Sequence, residues 1–420
     1  MELLDLAYQK FILPNGLEVI LHRNNNLPLV AVNIWYKVGT AQEKKGKTGL
    51  AHLFEHMMFQ GSQNVPKEMH FRYIQEAGGT LNGSTSQDRT NYYEKLPSNF
   101  LELALWLEAD RMGFFLPSLT QEKLDNQKGV VKNERLENYD NQPYGLAWEL
   151  LITNLYPENH PYSRPTIGFM KDIENYNLED VTNFFKTYYA PNNAVLVITG
   201  NFDPDNTIEL VKKYFSDISS NGSAEPLNAQ SFLLNSNVEI IHEDNIQLER
   251  VYLAWHSDNA YGNDDAALDI LSDILSGSKN SRLSKNLVFE KDLAQDVSAY
   301  QFSGKYGGHF MIVLTAKPNV NLDVLKQEVF TEIENTIKNG ILPKELQRSK
   351  NGIRSNFIYS LQNVDSLADH LNHYNFYLNE PNSFNFDLNR YNEIDEMMIR
   401  KAAEKYLTKP YVELKFIPRK

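Results

Sequence analysis

The feature that most limits the fold of this 420-residue chain is a pattern that occurs in both of its halves. In each half, a strand of largely apolar residues precedes a helix that ends close to a Gly-Ser pair. Both halves also close alike, with an aromatic helix end followed by an apolar strand, at residues 194–199 and 412–417. Superposing Gly61 on Gly277 gives an offset of 216 residues, about half the chain. Such self-similarity predicts two copies of one unit rather than one continuous core.

Strands and helices alternate within each half, but too irregularly for a doubly wound parallel sheet. The predicted fold class is therefore α+β, with two homologous α/β units that each contain a mixed sheet flanked by helices. A polar stretch rich in Ser, Asn and Gly near mid-chain is typical of a linker. We predict a first domain at residues 1–215, a linker at 216–232 and a second domain at 233–420.

Composition excludes several classes of protein. The chain has no cysteine, which rules out disulfide scaffolds, thiol nucleophiles and Cys-based metal sites. A formal charge of −13 argues against a nucleic-acid surface, and no apolar run approaches the ~18 residues of a membrane span. The first residues lack the basic and apolar parts of a secretory signal. We therefore expect a cytoplasmic location, or a periplasmic one if a leader was removed.

The motif that carries chemistry is His52-x-x-Glu55-His56, in a stretch otherwise rich in Leu, Phe and Met. On a helix, residues i and i+4 share a face, so both imidazoles can reach one metal ion. Glu55 lies beside them, where it can take a proton from a metal-bound water. The spacing is the inverse of His-Glu-x-x-His and is the inverzincin pattern. The alternative is a core helix with hydrogen-bonded histidines, for which burial of three ionisable groups would be costly.

A zinc site of this kind needs a third protein ligand, and spacing alone does not choose it. His70 lies on a neighbouring predicted helix. A later amphipathic helix, predicted at residues 120–138, offers Glu122, Glu134 and Glu137. The last two are one turn apart and could both face the metal, yet each glutamate is also compatible with a solvated helix face.

The motif at residues 52–56, the Gly-Ser pair after it and the pattern Val-Val-x-x-Glu ending at Glu134 together resemble the pitrilysin (insulinase) family of zinc metallopeptidases. The resemblance is strongest to the short, mitochondrial-processing-peptidase-like bacterial members, and it extends over essentially the whole chain. It implies one zinc ion per chain, held by His52, His56 and Glu134. Glu55 would be the general base.

Many members of that family have a further Glu seven residues before the third ligand, where it supports the site from behind the ligands. This chain has Gln127 at that position. The resemblance therefore implies a zinc site without the charge that this Glu would supply.

Residues 78–86 form a Gly-rich turn that enters a strand continuing through 90–94, or else an ordinary hairpin. In the family, the corresponding strand is a sheet edge beside the zinc and receives the substrate by strand addition. Asn82 and Gly83 match the family's Asn-Ala pair, and with Ser84 they are the residues implied to bind substrate. Pairing at a sheet edge implies short, unfolded peptides, because a folded protein has no free strand to offer.

The second half lacks the motif. The offset places Leu268, Leu271 and Ser272 where His-Glu-His stands in the first half, so the second copy should contribute walls rather than chemistry. Active family members also use an Arg and a Tyr from a C-terminal half to bind the substrate carbonyl. The aligned positions here are Val288 and Gln295.

Two neighbouring residues do not replace that pair, because Arg282 matches a different position and Tyr300 lies too far along the chain. The resemblance therefore implies the zinc-bearing subunit of a heterodimer, whose homologous partner supplies Arg and Tyr, or otherwise a homodimer. The predicted function is a zinc-dependent endopeptidase, or its catalytic subunit, which hydrolyses short peptides in a closed chamber and forms half of a clamshell. The alternatives are a non-catalytic structural or substrate-binding subunit and a metal-binding module without turnover.

Overall fold

The computed structural model of the chain describes residues 5–220, 227, 229 and 232–419, so the predicted linker at 216–232 lies partly outside the described residues. The strands are β1 (Gln9–Ile12), β2 (Glu18–Arg23), β3 (Leu29–Tyr36), β4 (Thr80–Thr85), β5 (Thr90–Pro97), β6 (Ala194–Gly200), β7 (Val238–Asp244), β8 (Arg250–Ser257), β9 (Ala294–Gly304), β10 (Gly307–Ala316) and β11 (Tyr411–Pro418). The α-helices are α1 (Leu50–Met57), α2 (Met69–Glu76), α3 (Leu101–Phe114), α4 (Gln121–Arg135), α5 (Ala147–Leu155), α6 (Met170–Glu174), α7 (Leu178–Tyr188), α8 (Pro204–Phe215), α9 (Asp265–Ser276), α10 (Leu322–Asn339), α11 (Pro343–Ser360), α12 (Val364–Leu378), α13 (Phe384–Glu393) and α14 (Glu396–Leu407).

The described residues form two compact units, each built on one mixed sheet. In the first unit the strand order is β1-β2-β6-β3-β5-β4, with β2 parallel to β6 and the other neighbours antiparallel. In the second unit the order is β7-β11-β8-β10-β9, with β7 parallel to β11 and the other neighbours antiparallel. Apart from β1, the two sheets match strand for strand. This confirms the predicted fold class of two homologous mixed-sheet units.

The central strands are apolar runs because helices cover both of their faces. β6 is buried along its whole length, and β3 is buried from its second residue onward. In the first unit, α3 packs against β3, and α12 also contacts β3 and β6. Within the described residues, no helix combines the length and apolar character that crossing a membrane requires.

Neither compact unit is one continuous stretch of chain. The first comprises Met1–Arg135, Arg164–Asn228 and Ile358–Asn385, and the second comprises Leu136–Ser163, Ala229–Phe357 and Phe386–Lys420. The first unit thus contains α12 from the second half, and the second unit contains α5 from the first half, where α5 packs on β8 and β11. The offset of 216 residues carries α5 onto α12, so equivalent helices are exchanged between the copies. The predicted domain borders at 1–215 and 233–420 follow the sequence repeat, whereas the compact units are defined by contacts in space and combine segments from both halves. The borders therefore stay a prediction.

Polar contacts fix the exchanged helix α12 on the first sheet. Asp369 accepts hydrogen bonds from Trp35 Nε1 at 3.1 Å and Asn33 Nδ2 at 3.3 Å. Asn372 Nδ2 donates to the Asn33 carbonyl at 3.0 Å, and Thr199 Oγ1 donates to the Val364 carbonyl at 2.7 Å. Because these partners are strand residues, α12 has one orientation on the sheet.

Residues 78–94 form a hairpin rather than one strand, so the prediction of a strand continuing through 90–94 is wrong and the hairpin alternative is right. β4 and β5 pair antiparallel, and the Ser86 N–H donates to the Arg89 carbonyl at the turn. The polar Ser-Gln-Asp-Arg sequence at 86–89 accommodates this reversal. β4 becomes the last strand of the first sheet, with a strand partner on one side among the described residues.

A pair of buried histidines lies on the face of the second sheet that α5 covers. His256 on β8 and His309 on β10 are opposed in register, and they are 8% and 4% exposed. In the described part of the chain, neither Nε2 atom has a hydrogen-bond partner. Burial lowers the pKa of His256 to about 4 and that of His309 to about 3. Both imidazoles are therefore neutral at pH 7.

This pair makes the stability of the second unit sensitive to acid. Because both pKa values are lower in the folded state than the ~6.5 of an unfolded histidine, stability is present above pH ~6.5 and decreases as the pH falls toward the folded values. For His309→Gln we expect the change in unfolding free energy between pH 7 and 5 to shrink by about 2 kcal/mol. Urea unfolding at the two pH values measures it, and an unchanged pH dependence would show that His309 does not carry the effect.

Candidate metal centre

Helix α1 carries the His-x-x-Glu-His motif and is fixed by its apolar face. Leu53, Phe54 and Met57 are fully buried. The Phe54 ring stacks on Phe184 and Tyr189, with centroids 5.4 Å and 4.7 Å away. This packing fixes the rotation of α1 about its axis, and with it the direction in which the polar residues of the motif point.

Three side chains meet on that side of α1. The rings of His52 and His56 lie 4.8 Å apart, and Glu134 near the end of α4 faces both. Glu134 Oε1 is 3.6 Å from His52 Nε2, and its Oε2 is 3.2 Å from His56 Nε2. Two ligand atoms about 2.1 Å from a tetrahedral zinc ion are about 3.4 Å apart. The distances and the donor set therefore fit zinc, with room for a fourth ligand.

The ionisation states of the ligands favour a metal. Burial lowers the pKa of His52 to about 4, and the neighbouring His56 adds to this effect. The hydrogen bond with His56 holds the pKa of Glu134 below its ordinary value. At neutral pH, His52 is therefore neutral and Glu134 is ionised, which are the forms that bind metal ions.

Glu55 lies in the same turn of α1 and is held by a residue of the edge strand. Thr85 Oγ1 donates to Glu55 Oε2 at 2.7 Å. Burial raises the pKa of Glu55, while the Thr85 bond and the charge of His56 act in the opposite direction. A carboxylate with a raised pKa and a fixed orientation suits a general base.

The three residues implied to bind substrate all lie on β4, but they face different ways. A Cβ atom at Gly83 would lie 3.1 Å from Glu55 Cγ, so Gly83 leaves the space that this side chain occupies. Ser84 faces the other way and donates to Asn91 Oδ1 at 2.6 Å. Asn82 Oδ1 accepts the N–H of Gly83 at 2.9 Å. Their role in binding substrate stays a prediction.

Sequence reasoning missed Thr85, although a signal for it was present. Side chains alternate along a strand, so Thr85 faces the same way as Gly83. Once Gly83 is placed beside the motif, this alternation also indicates Thr85.

The other possible third ligands are placed elsewhere. Glu122 is exposed in the first turn of α4, and Glu137 is exposed in the π-helical turn Leu136–Asp140 that follows α4. Gln127 is buried two turns before Glu134, with its amide donating to Asn126 Oδ1 at 2.9 Å. The structure thus brings Glu134, rather than Glu122, to the histidines of α1.

His70 belongs to a second cluster that could hold a metal ion, together with Glu94 and Glu108. Arg111 already supplies a positive charge there, because its guanidinium is hydrogen-bonded to Glu108 and lies 3.2 Å from Glu94 Oε1. His70 Nε2 is 3.1 Å from the same Glu94 oxygen. This cluster is therefore a buried ion-pair network, and a metal would have to displace the arginine.

In the second unit, residues at the positions equivalent to the motif are part of the hydrophobic core. Leu268 and Leu271 on α9 are fully buried in its hydrophobic core. Both metal-capable groups found among the described residues lie in the first unit. Arg282 is held by Glu345 at 2.7 Å and by Glu332 at 3.1 Å, so its guanidinium is already paired.

An inverted His-x-x-Glu-His helix, with a glutamate from a second helix as the third candidate ligand, is the pattern of the inverzincin class of metallopeptidases. Residues 18–168 match the family model described as Insulinase (Peptidase family M16), and residues 175–353 match the one described as Peptidase M16 inactive domain. The chain belongs to this insulinase (M16) family.

Relatives with related names cover most of the chain. The Zinc protease PqqE of Helicobacter pylori is 30% identical over 365 residues, which are 86% of this chain and 82% of that protein. The probable mitochondrial-processing peptidase subunit beta of Arabidopsis thaliana is 24% identical, over 85% of this chain and 68% of its own length. A solved protease structure from Helicobacter pylori has 26% identity and a TM-score of 0.91, covering 98% of this chain and 100% of its own. The family is thus supported along nearly the whole sequence.

The site predicts one zinc ion per chain. Glu134→Gln removes one charged ligand with little change in size, and we expect the zinc dissociation constant to rise by about 100-fold or more. Isothermal titration with a competing chelator measures it. Glu122→Gln, on the same helix, and His70→Gln, in the second cluster, are the matched controls. An equal loss of zinc affinity in His70→Gln would contradict the prediction, because it would place the metal in the second cluster with His70.

Proposed function

We propose that this chain is a zinc-dependent endopeptidase, or the catalytic subunit of one, that hydrolyses short unfolded peptides. The observation that carries the proposal is the position of Glu55, which lies beside the candidate ligands and is hydrogen-bonded to β4, the last strand of the first sheet among the described residues. Membership of the M16 family and the naming of relatives as zinc proteases support it.

The residues of the site divide the chemistry among them. His52, His56 and Glu134 would hold a zinc ion, which when bound polarises the substrate carbonyl and lowers the pKa of water to about 7. Glu55 takes the proton from the attacking water and delivers it to the leaving amine as the C–N bond breaks. Thr85 keeps one Glu55 oxygen engaged, which orients the carboxylate during both transfers.

The edge of β4 supports an extended substrate. The N–H of Gly83 is bonded by the side chain of Asn82 rather than by β5, which indicates that this N–H points toward the free edge. A peptide strand that adds to β4 would take this N–H in place of Asn82 Oδ1, and the released amide of Asn82 could then bond the peptide backbone. This exchange places a substrate carbonyl near Glu55, because Gly83 contacts that residue.

Glu55→Gln tests the reaction. Glutamine keeps the size of the side chain and an acceptor for Thr85, but it cannot take a proton. We expect peptide cleavage to fall by about a thousandfold with zinc binding unchanged, measured with quenched fluorescent peptides and metal analysis. If the chain were a metal-binding module without turnover, the wild type would cleave nothing and both proteins would bind zinc equally.

A homologous partner completes the proposed enzyme. The positions aligned with the family's Arg and Tyr are Val288, half-buried against the second core, and Gln295, exposed on β9. Arg282 is engaged with two glutamates. A heterodimer with a partner that bears Arg and Tyr, closing a chamber around the peptide, supplies the missing carbonyl donors. One of the relatives is itself named as a subunit.

The partner proposal predicts a large difference between the isolated chain and the complex. Each missing donor to the developing oxyanion costs about 10²-fold or more in rate. We therefore expect slow cleavage by the zinc-loaded chain alone and a gain of about 100-fold or more when the partner is added. The same kcat for the chain alone and for the preparation co-purified from the native host would refute the heterodimer.

A further inference from the structure

The start of α1 is capped by a side chain from outside the helix. Glu43 is 4% exposed; its Oε2 accepts the N–H of Gly49 at 2.8 Å and its Oε1 accepts the N–H of Ala51 at 2.9 Å. The first N–H groups of a helix have no partner within the helix, and a carboxylate there also interacts favourably with the helix dipole. Glu43 therefore satisfies two backbone amides immediately before the zinc ligand His52.

A local cap is sterically excluded at this helix start. Gly49 has a φ of +86°, and a Cβ atom there would lie 2.7 Å from the Ile167 carbonyl oxygen and 2.8 Å from Gly168 Cα. A Cβ atom on Gly168 would in turn lie 2.5 Å from the Thr48 carbonyl oxygen. Two backbones thus cross without room for side chains, so the Ser, Thr or Asp usual at this position cannot be present.

The same crossing connects α1 to α4. The Gly168 carbonyl accepts a hydrogen bond from Arg135 Nη1 at 2.6 Å, and Arg135 follows the third ligand Glu134. The segment at residues 167–168 therefore touches the start of one ligand-bearing helix and is bonded to the end of the other. A shift of α1 against this segment changes the distance between the histidines and Glu134.

Both carboxyl oxygens of Glu43 act as acceptors in these two bonds. Burial raises the pKa of Glu43 to about 8, even though the two N–H bonds and the charge of Arg164 act to lower it. Glutamine at this position offers one acceptor and turns an NH2 group toward the other N–H. Glu43→Gln is therefore a nearly isosteric way to release one helix amide.

We propose that Glu43 is a positioning residue for the zinc site: it fixes the start of α1 against residues 167–168 and so sets the histidines at ligand distance from Glu134. The inference rests on the proposed zinc-peptidase function. Glu43 bonds backbone amides rather than ligand atoms, so it acts through the helix.

The experiment compares Glu43→Gln with Glu345→Gln. Glu345 is a matched buried residue, which accepts the Leu342 N–H at 2.8 Å before α11 and pairs with Arg282. For Glu43→Gln we expect the zinc dissociation constant to rise about tenfold or more and amide exchange at Gly49 and Ala51 to become about tenfold faster. For Glu345→Gln we expect lower global stability with zinc affinity unchanged. In peptide cleavage, Glu43→Gln should lower kcat more than it raises KM.

Equal loss of zinc affinity in both variants would mean a general loss of stability and would overturn the positioning role. If Glu43→Gln does not fold, the wild type provides the test. Zinc should then slow exchange at Gly49 and Ala51 more than at Asn206, whose N–H is capped by Asp203 at the start of α8. Equal slowing at all three amides would overturn the inference. A wild type that binds zinc but cleaves no peptide would overturn the proposed function, while the zinc and exchange measurements still decide the role of Glu43.

Discussion

The contact between Glu134 and the two histidines of α1 is the interaction on which the candidate metal centre depends. The three candidate ligands come from two helices far apart in the chain, and the carboxylate oxygens lie 3.2–3.6 Å from the imidazole nitrogens. Such spacing has to be kept to within tenths of an ångström for a zinc ion to bind tightly. Neither helix alone fixes the distance between the histidine nitrogens and the Glu134 oxygens. The aromatic packing of Phe54 and the capping of α1 by Glu43 both contribute to it.

The outer edge of β4, which has no strand partner among the described residues, lies beside this candidate metal centre. An unpaired edge strand is a liability in most proteins, because it can pair with any extended segment. Here the liability lies beside Glu55, and the side chain of Asn82 covers one of the exposed N–H groups. The alternation of the strand gives its two faces different surroundings, because Gly83 and Thr85 face Glu55 while Ser84 bonds within the sheet.

Local periodicity was sufficient for the parts of the fold that depend on neighbours in sequence. The i, i+4 spacing places His52 and His56 on one face of α1, and the apolar run of β6 gives a central strand. The exchange of α5 and α12 could not be predicted, because an amphipathic pattern tells which face is buried but not which sheet buries it. Glu43 was missed for the same reason: a carboxylate that caps a helix from an upstream loop has no fixed spacing.

The exchange gives the second copy a structural role in the first unit, although the residues equivalent to the motif are packed in its own core. In the first copy, the polar residues of the motif lie at the candidate metal centre. In the second copy, Leu268 and Leu271 fill the core of their own unit. The first unit nevertheless needs α12, which covers β3 and β6 and whose Asp369 and Asn372 bond strand residues. Without that helix, the buried face of the sheet that ends in β4 would be exposed to water. The sheet that carries β4 is therefore buried in part by a helix from the second half of the chain, which is a structural role independent of any chemistry.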